Sequence, residues 1–378
     1  MSIYTTPLQF GYFAAWLYAV LLWVRGARQE RRSDTLLGWV MWLLGQQIQD
    51  YTLGFAGINV LWEELDGFPR STTLLFGPAM YFYLSAQLNR GFRLQRKHLL
   101  HLLPWLLVSL PQLAVFLQGP YAVQRADQHP LWQAFGYAER LGVWASMIAY
   151  FVQSLRLYRS YRAWMLTQFS DPEAVSFAWY RNFIYGIAAG FTFKELMRLA
   201  DWMLDWSFYD DWWWNLGMVG LIVYVGVQGY AQYQPRQIAF VPAAELEAAP
   251  AREAVQPPPE LEAWKAQLGA HMGRHRPYLD PELTLADLAR QLQWPAAQLS
   301  AVINSGFGQN FNDFINRYRV QAFQELVRMP ENQQFTLLAL ALEAGFNSKA
   351  TFNRAFRKHT GSSPREWMQA PPAADAPS

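Results

Sequence analysis

The chain has 378 residues, of which 52% are apolar and only 16% charged, with a formal net charge of +2 and no cysteine. A charged share well below the ~25% usual in soluble globular domains argues against a chain that is soluble throughout. The missing cysteines exclude disulfides, thiolate metal sites and a cysteine nucleophile, and a charge of +2 points to no partner by itself.

The residue types are unevenly spread. Of 18 tryptophans, 15 precede residue 215, and the others are Trp264, Trp294 and Trp367. The first part therefore reads as a membrane protein and the last as something else.

Apolar runs on the scale of a ~30 Å hydrocarbon layer, which takes about 20 helical residues, occur near 8–24, 36–56, 72–89, 98–118, 132–157, 179–206 and 212–233. They predict seven spans. The first is followed by RGARQERRSD and another apolar run, without a cleavage-site pattern, so it is expected to be retained. Pro78, Pro104 and Pro111 are expected to kink the third and fourth spans. Alternate loops carry the Lys/Arg excess: Arg25, Arg28, Arg31 and Arg32; then Arg90, Arg93, Arg96 and Lys97; then Arg156, Arg159, Arg162 and Arg181. The intervening loops hold Arg70 and Arg125 among several acids. That bias places the N-terminus outside and the chain after residue 233 in the cytoplasm, with DDWWWN (210–215) at an outer aromatic belt.

Polar residues within the spans are costly and mark candidate signal-sensing positions. The sixth span carries Lys194, Arg198 and Asp201 at i, i+4 and i+7, with Glu195 beside them; the second has Gln46, Gln47, Gln49 and Asp50; the fifth has Glu139 and Arg140. Together they suit one polar cavity open to the outer side. They equally suit interhelical ion pairs that hold a bundle together. Gly186 and Gly190 form a small-residue face that suits packing within the bundle, with dimerisation as the alternative.

Residues 234–259, rich in Pro and Ala and without helical periodicity, read as a tether able to reach on the order of 30 Å. From residue 260 the pattern becomes that of short capped helices. TLADLARQL begins at Thr284 with Asp287 three residues on, and after a break at Gln293 and Trp294 a second helix opens at Pro295. A longer helix from about Asn310 to Arg328 buries Phe311, Phe314, Ile315, Tyr318, Ala322 and Leu326. The pattern then repeats: TLLALALEAGF from Thr336, a turn through Gly345, and SKATFNRAFRKH, capped by Ser348 and stopped at Gly361. Residues 371–378 read as a disordered tail. His271 and His275 have metal-ligand spacing but no third ligand, so no metal is expected; His98 and His101 read as interfacial.

Two helix-turn-helix units joined by one long helix resemble the DNA-binding domain of the AraC family of bacterial transcriptional regulators. The resemblance covers roughly 275–370 and rests on LTLADLA, FNDFINRYRV and EAGFNSKATFNRAFRKHTGSSPREW. Together with the apolar runs it gives an all-α chain: the runs predict a seven-helix transmembrane bundle over 1–233, and the resemblance implies a cytoplasmic double helix-turn-helix domain over 260–370. By the same resemblance Lys349, Ala350 and Arg354 read bases, while Asn353, Arg357 and Lys358 touch phosphate. The corresponding positions of the first unit are Ala297, Ser300 and Ala301, where relatives often present longer polar side chains, so direct readout there is expected to be thin. From residue 260 on, 12 Lys+Arg face 11 Asp+Glu, so one domain should bind weakly and a homodimer on promoter DNA is expected.

These readings converge on a one-component regulator in the bacterial cytoplasmic membrane, without cofactor or enzymatic activity, responding through its spans to a small, apolar or amphipathic ligand. A membrane enzyme or transporter with an accessory DNA-binding tail is the alternative. The sequence offers it no phosphate-cradling glycine loop, nucleophile elbow or metal cluster.

Overall fold

The computed structural model describes residues 6–55, 65, 67–89, 91–171, 178–204, 212–231, 240 and 260–369. Apart from Phe240, the linker 234–259 lies outside the described residues, as do the tail 371–378, Arg90, Asp210 and Asp211. All regular structure described is helical, with one isolated antiparallel bridge between Phe169 and Thr284. The chain forms two compact units: Met1–Tyr158 with Phe177–Val241, and Arg159–Ser176 with Pro242–Ser378.

The first unit contains α1 (Thr6–Arg28), α2 (Arg32–Gln47), α3 (Gln49–Phe55), α4 (Thr73–Leu88), a 3-10 turn (Arg96–Leu102), α5 (Leu103–Phe116), α6 (Pro120–Asp127), most of α7 (Pro130–Gln168), α8 (Ala178–Leu204) and α9 (Trp212–Ala231). Among the described residues each predicted span overlaps helix, but the second is broken at Ile48 between α2 and α3, the fourth opens in the 3-10 turn, and the seven are unequal. Among the described residues, two helical stretches are long and apolar enough to cross a membrane, Thr6–Arg28 and Arg96–Phe116. The 16-residue α2 and α4 extend only about 24 Å at ~1.5 Å per residue, and Trp, Tyr and Gly dilute the apolar character of α9. Pro104 stands in the first turn of α5, where its missing N–H leaves no helical bond unmade, so only Pro78 and Pro111 are interior prolines.

Two of the loop arginines, Arg25 and Arg31, meet a buried carboxylate. Asp34, 3% exposed, accepts from Arg25 Nε at 2.7 Å and Nη2 at 3.0 Å, with Arg31 Nε 3.5 Å away. Arg25 also donates to the carbonyls of Gly229 and Tyr230 and lies 4.5 Å over the Tyr230 ring. One guanidinium thus joins α1, α2 and the C-terminal end of α9, where carbonyls lack helical donors. Of the WWW run, Trp212 and Trp214 are buried and only Trp213 is exposed, so the run is part core rather than wholly an interfacial belt. Gly186 and Gly190 face α9 across van der Waals distance: a Cβ added there would lie 3.5 and 3.8 Å from Leu221. The small-residue face is used within the bundle.

The second unit contains the end of α7 and α10 (Leu261–His275), α11 (Leu285–Leu292), α12 (Ala296–Ala301) with a π turn (Val302–Gly306), α13 (Phe311–Arg328), α14 (Leu337–Glu343), α15 (Lys349–Thr360) and α16 (Pro364–Gln369). The predicted caps form. Thr284 Oγ1 accepts from Asp287 N while the Asp287 carboxylate accepts from Thr284 N, a closed capping box. Asn310, Thr336 and Ser348 cap α13, α14 and α15, and Gly361 ends α15 at φ 78°.

The long helix α13 is the spine. Phe311, Phe314 and Ile315 face the first helix pair, and Phe323 meets Phe352 at 4.5 Å and Phe356 at 5.6 Å in the second. A buried phenylalanine of this kind contributes ~1.5–3 kcal/mol of transfer free energy. Gly345, at φ 94°, turns the chain so closely past the 277–283 turn that a Cβ there would stand 2.4 Å from the Tyr278 carbonyl oxygen. Only glycine fits both that conformation and that contact.

Candidate nucleic-acid interface

On α15 the apolar back and polar front separate cleanly. Phe352, Ala355 and Phe356 are buried, while Lys349, Ala350, Asn353, Arg354, Arg357 and Lys358 are all exposed. The helix is fixed at both ends by Ser348 and Gly361, and the last-turn cations Arg357 and Lys358 complement its dipole. Lys349, Asn353, Arg354 and Arg357 line one concave surface with Thr336 and Arg365. Thr336 and Arg365 were not singled out by sequence, because they come from the starts of neighbouring helices; the capping pattern around both was the available signal.

Lys358 has a protein partner. Its Nζ lies 2.6 and 2.7 Å from the Asp313 carboxylate oxygens, joining α15 to the start of α13. The lysine is exposed, so the pair is worth only ~0–1 kcal/mol and leaves phosphate contact open by exchange.

The first unit is barer. Ala297 is exposed, and Ser300 and Ala301 are half-buried. The π turn that follows α12 displays Asn304, whose Nδ2 donates to Ser300 Oγ at 3.4 Å. Asn304 is thus a polar front residue that a uniform 3.6-residue period does not bring forward, since a π turn takes up an extra residue.

Beside α15, burial holds the His359 imidazole below its ordinary value, Lys358 and Arg317 lower it further, and Asp313 opposes them. Because the folded-state value is depressed, protonation favours the unfolded chain. Stability is full above about 6.5 and falls as pH drops through the folded value. Going from about pH 7.5 to about pH 5.5 should therefore lower the melting temperature of the wild-type chain more than that of His359→Gln; equal shifts in a thermal melt would contradict the assignment.

Among the described residues, the candidate sensing side chains border more than one cavity. Lys194 Nζ lies 3.5 Å from Gln47 Oε1 and 5.2 Å over the Trp214 ring, in a small, mostly apolar cavity also bordered by Thr73 and Met147. Gln47, rather than Gln46, makes that contact. Asp50 pairs with Arg70 at 3.6 Å, Glu139 accepts from Gln112 at 3.0 Å, and Arg140 lies 5.5 Å over the Tyr137 ring. Among the described side chains, Lys194 and Gln47 border one small cavity, while Glu139 and Arg70, the partner of Asp50, border another together with Gln112. Glu195 is half-buried on α8, and the side chains of Arg198 and Asp201 lie outside the described residues. His271 bonds Gln291 and stacks near His275, and no metal-ligand cluster occurs among the described residues.

Comparison with known proteins finds a family match in this second unit. The chain is 30% identical over 93 residues to uncharacterised HTH-type transcriptional regulators of Staphylococcus aureus strains COL and N315. That match covers 24% of this chain and 12% of each relative, so the chain spans about an eighth of the length of those relatives. A solved protein of unknown function from Listeria innocua is 26% identical, with 30% of this chain and 97% of that one covered, at a TM-score of 0.23. Residues 288–370 match the helix-turn-helix domain model, and the chain carries a C-terminal helix-turn-helix domain of AraC type.

Proposed function

We propose that the chain is a membrane-embedded one-component transcriptional regulator of the bacterial cytoplasmic membrane, whose second unit reads promoter DNA. The observation that carries the reading is α15: a helix capped at both ends, apolar behind, with Lys349, Asn353, Arg354 and Arg357 on one exposed front. A front of that chemistry suits the major groove, Arg354 to guanine O6 and N7 and Arg357 to phosphate. The near-neutral domain favours a homodimer on DNA.

The seven helical stretches are proposed to cross the bilayer with the N-terminus outside. Their outward surfaces support this: Phe13, Leu107, Leu141, Leu196 and Trp213 are each more than half exposed, an apolar surface far beyond what water favours. The short α2 and α4 fit by bilayer thinning and by neighbours that cover their ends. A small, apolar ligand would act at the Lys194–Gln47 cavity, whose lining is mostly apolar with one cation.

The test uses full-length protein in phosphatidylethanolamine/phosphatidylglycerol nanodiscs and a random duplex library. A discrete sequence should be enriched. Arg354→Ala should cost ~1–3 kcal/mol, about 5- to 150-fold in affinity, and relax one base position. Arg357→Ala should weaken all duplexes alike and reduce the salt slope by about one. If no duplex is enriched, the reading fails.

A further inference from the structure

The helix α7 does not end where its apolar run ends. It continues as one helix to Gln168, and residues 159–176 belong to the helix-turn-helix unit. The three residues after it lie extended against that unit. Phe169 bridges Thr284, the cap of α11. Ser170 N donates to Leu283 O at 3.2 Å, and its carbonyl accepts from Asn312 Nδ2 at 2.6 Å. Ser170 Oγ accepts from Arg319 Nη2 at 3.0 Å. Ser170 and Asp171 are buried, at 1% and 6% exposure, and Arg319 is fully buried. Arg319 also holds the carbonyls of Tyr278 at 2.8 Å and Asp280 at 2.7 Å.

Two features distinguish this segment from an incidental loop contact. It is bound through backbone and side chain on both flanks, by the turn that precedes α11 and by α13, the helix that joins the two helix-turn-helix pairs. It also leaves the reading front open: Lys349, Asn353, Arg354 and Arg357 are all exposed, while the bonds of Phe169 and Ser170 run to Leu283, Thr284, Asn312 and Arg319. A steric block would sit on that front. A segment that clasps the joining helix and the entry turn instead fixes how the two pairs are presented.

We infer that residues 169–171 form an intramolecular strap that docks in the cleft between α13 and the 277–284 turn and holds the domain in its reading form, making α7, rather than the 234–259 tether, the route by which the bundle controls DNA affinity. This rests on the proposed reading of DNA. A ligand that shifts α7 along or about its axis withdraws the strap, because a helix transmits displacement to its end where a flexible tether does not.

The natural absence of cysteine makes the test direct. Bridge partners in an antiparallel pair stand at disulfide-compatible spacing, so Phe169→Cys with Thr284→Cys should cross-link under mild oxidant in nanodiscs, seen as a linked peptide by mass spectrometry. On the duplex enriched by wild-type protein, the oxidised form should keep wild-type affinity. Asn312→Ala, which removes the 2.6 Å bond without touching the reading front, should lose about tenfold, within the ~5- to 150-fold range of allosteric couplings. Circular dichroism of Asn312→Ala checks that the helices persist. Absence of the cross-link, or wild-type affinity in a folded Asn312→Ala, overturns the strap. Failure to enrich any duplex overturns the parent reading instead, so the two failures are distinct.

Discussion

Arg319→Ala should destabilise the helix-turn-helix unit by about 3–5 kcal/mol, the range for breaking a buried charged network by removing one partner. The guanidinium is fully buried among the carbonyls of Tyr278 and Asp280 and the hydroxyl of Ser170. Its removal leaves those acceptors dry and takes the neighbouring cation from the buried Asp171, whose charge favours ionised Arg319. Burial lowers the arginine to about 10, with Asp171 and Asp280 opposing. A depressed folded value means that stability rises only as pH climbs above about 10, so the side chain stays charged and adds no pH dependence near neutrality. Arg319→Lys, with one ammonium in place of a fork, should recover only part of the loss. Chemical denaturation followed by the fluorescence of Trp264, Trp294 and Trp367 in a chain otherwise depleted of tryptophan would read both values; a loss under ~1 kcal/mol for Arg319→Ala would contradict the role given to it.

Asp34→Ala should have a comparable effect on the first unit, again about 3–5 kcal/mol. The carboxylate is the shared partner of Arg25 and Arg31, and without it Arg25 keeps only carbonyls and an aromatic face. The consequence reaches α9, because the same guanidinium closes its C-terminal end. Thermal melts in detergent should show a marked fall for Asp34→Ala, and a smaller one for the paired change Arg25→Met with Asp34→Leu, since an apolar pair leaves no orphan charge. Equal melting of Asp34→Ala and wild type would show that the pair is idle.

Much of the second unit is legible in sequence because its signals are local. Thr284 with Asp287, Ser348 and Gly361 announce helix ends within four residues of themselves, and the alternation of Phe352, Ala355 and Phe356 with Lys349, Asn353 and Arg354 sorts one helix into back and front. What escapes is long-range or departs from the regular period. Lys358 meets Asp313 across 45 residues, and Arg319 meets Ser170 across 149. The π turn shifts Asn304 forward by breaking the 3.6-residue count.

In the first unit the apolar runs locate the helices but misplace the end of α7. Arg156, Arg159 and Arg162 read as loop charges because hydropathy ends there, yet they occupy a helix that continues to Gln168. Loss of apolar character marks where a helix stops suiting lipid, not where its hydrogen bonds stop. The partners of Lys194, Asp50 and Glu139 escape for a related reason: helical spacing places residues on a face, and which neighbour that face meets is settled by packing.

The helix-turn-helix unit is discontinuous in the chain, built from residues 159–176 as well as from the C-terminal part. A single proteolytic cut between α9 and α10 would therefore not liberate the finished reader. The freed polypeptide would carry Asn312 and Arg319 but leave Ser170 behind, exchanging two buried bonds for water. Regulated release, which suits readers whose whole fold lies on one side of the cut, would here yield a looser domain than the one in the intact chain. For the same reason, gene fusion of a soluble helix-turn-helix module at residue 260 would transplant the reading helices without the three residues that complete them.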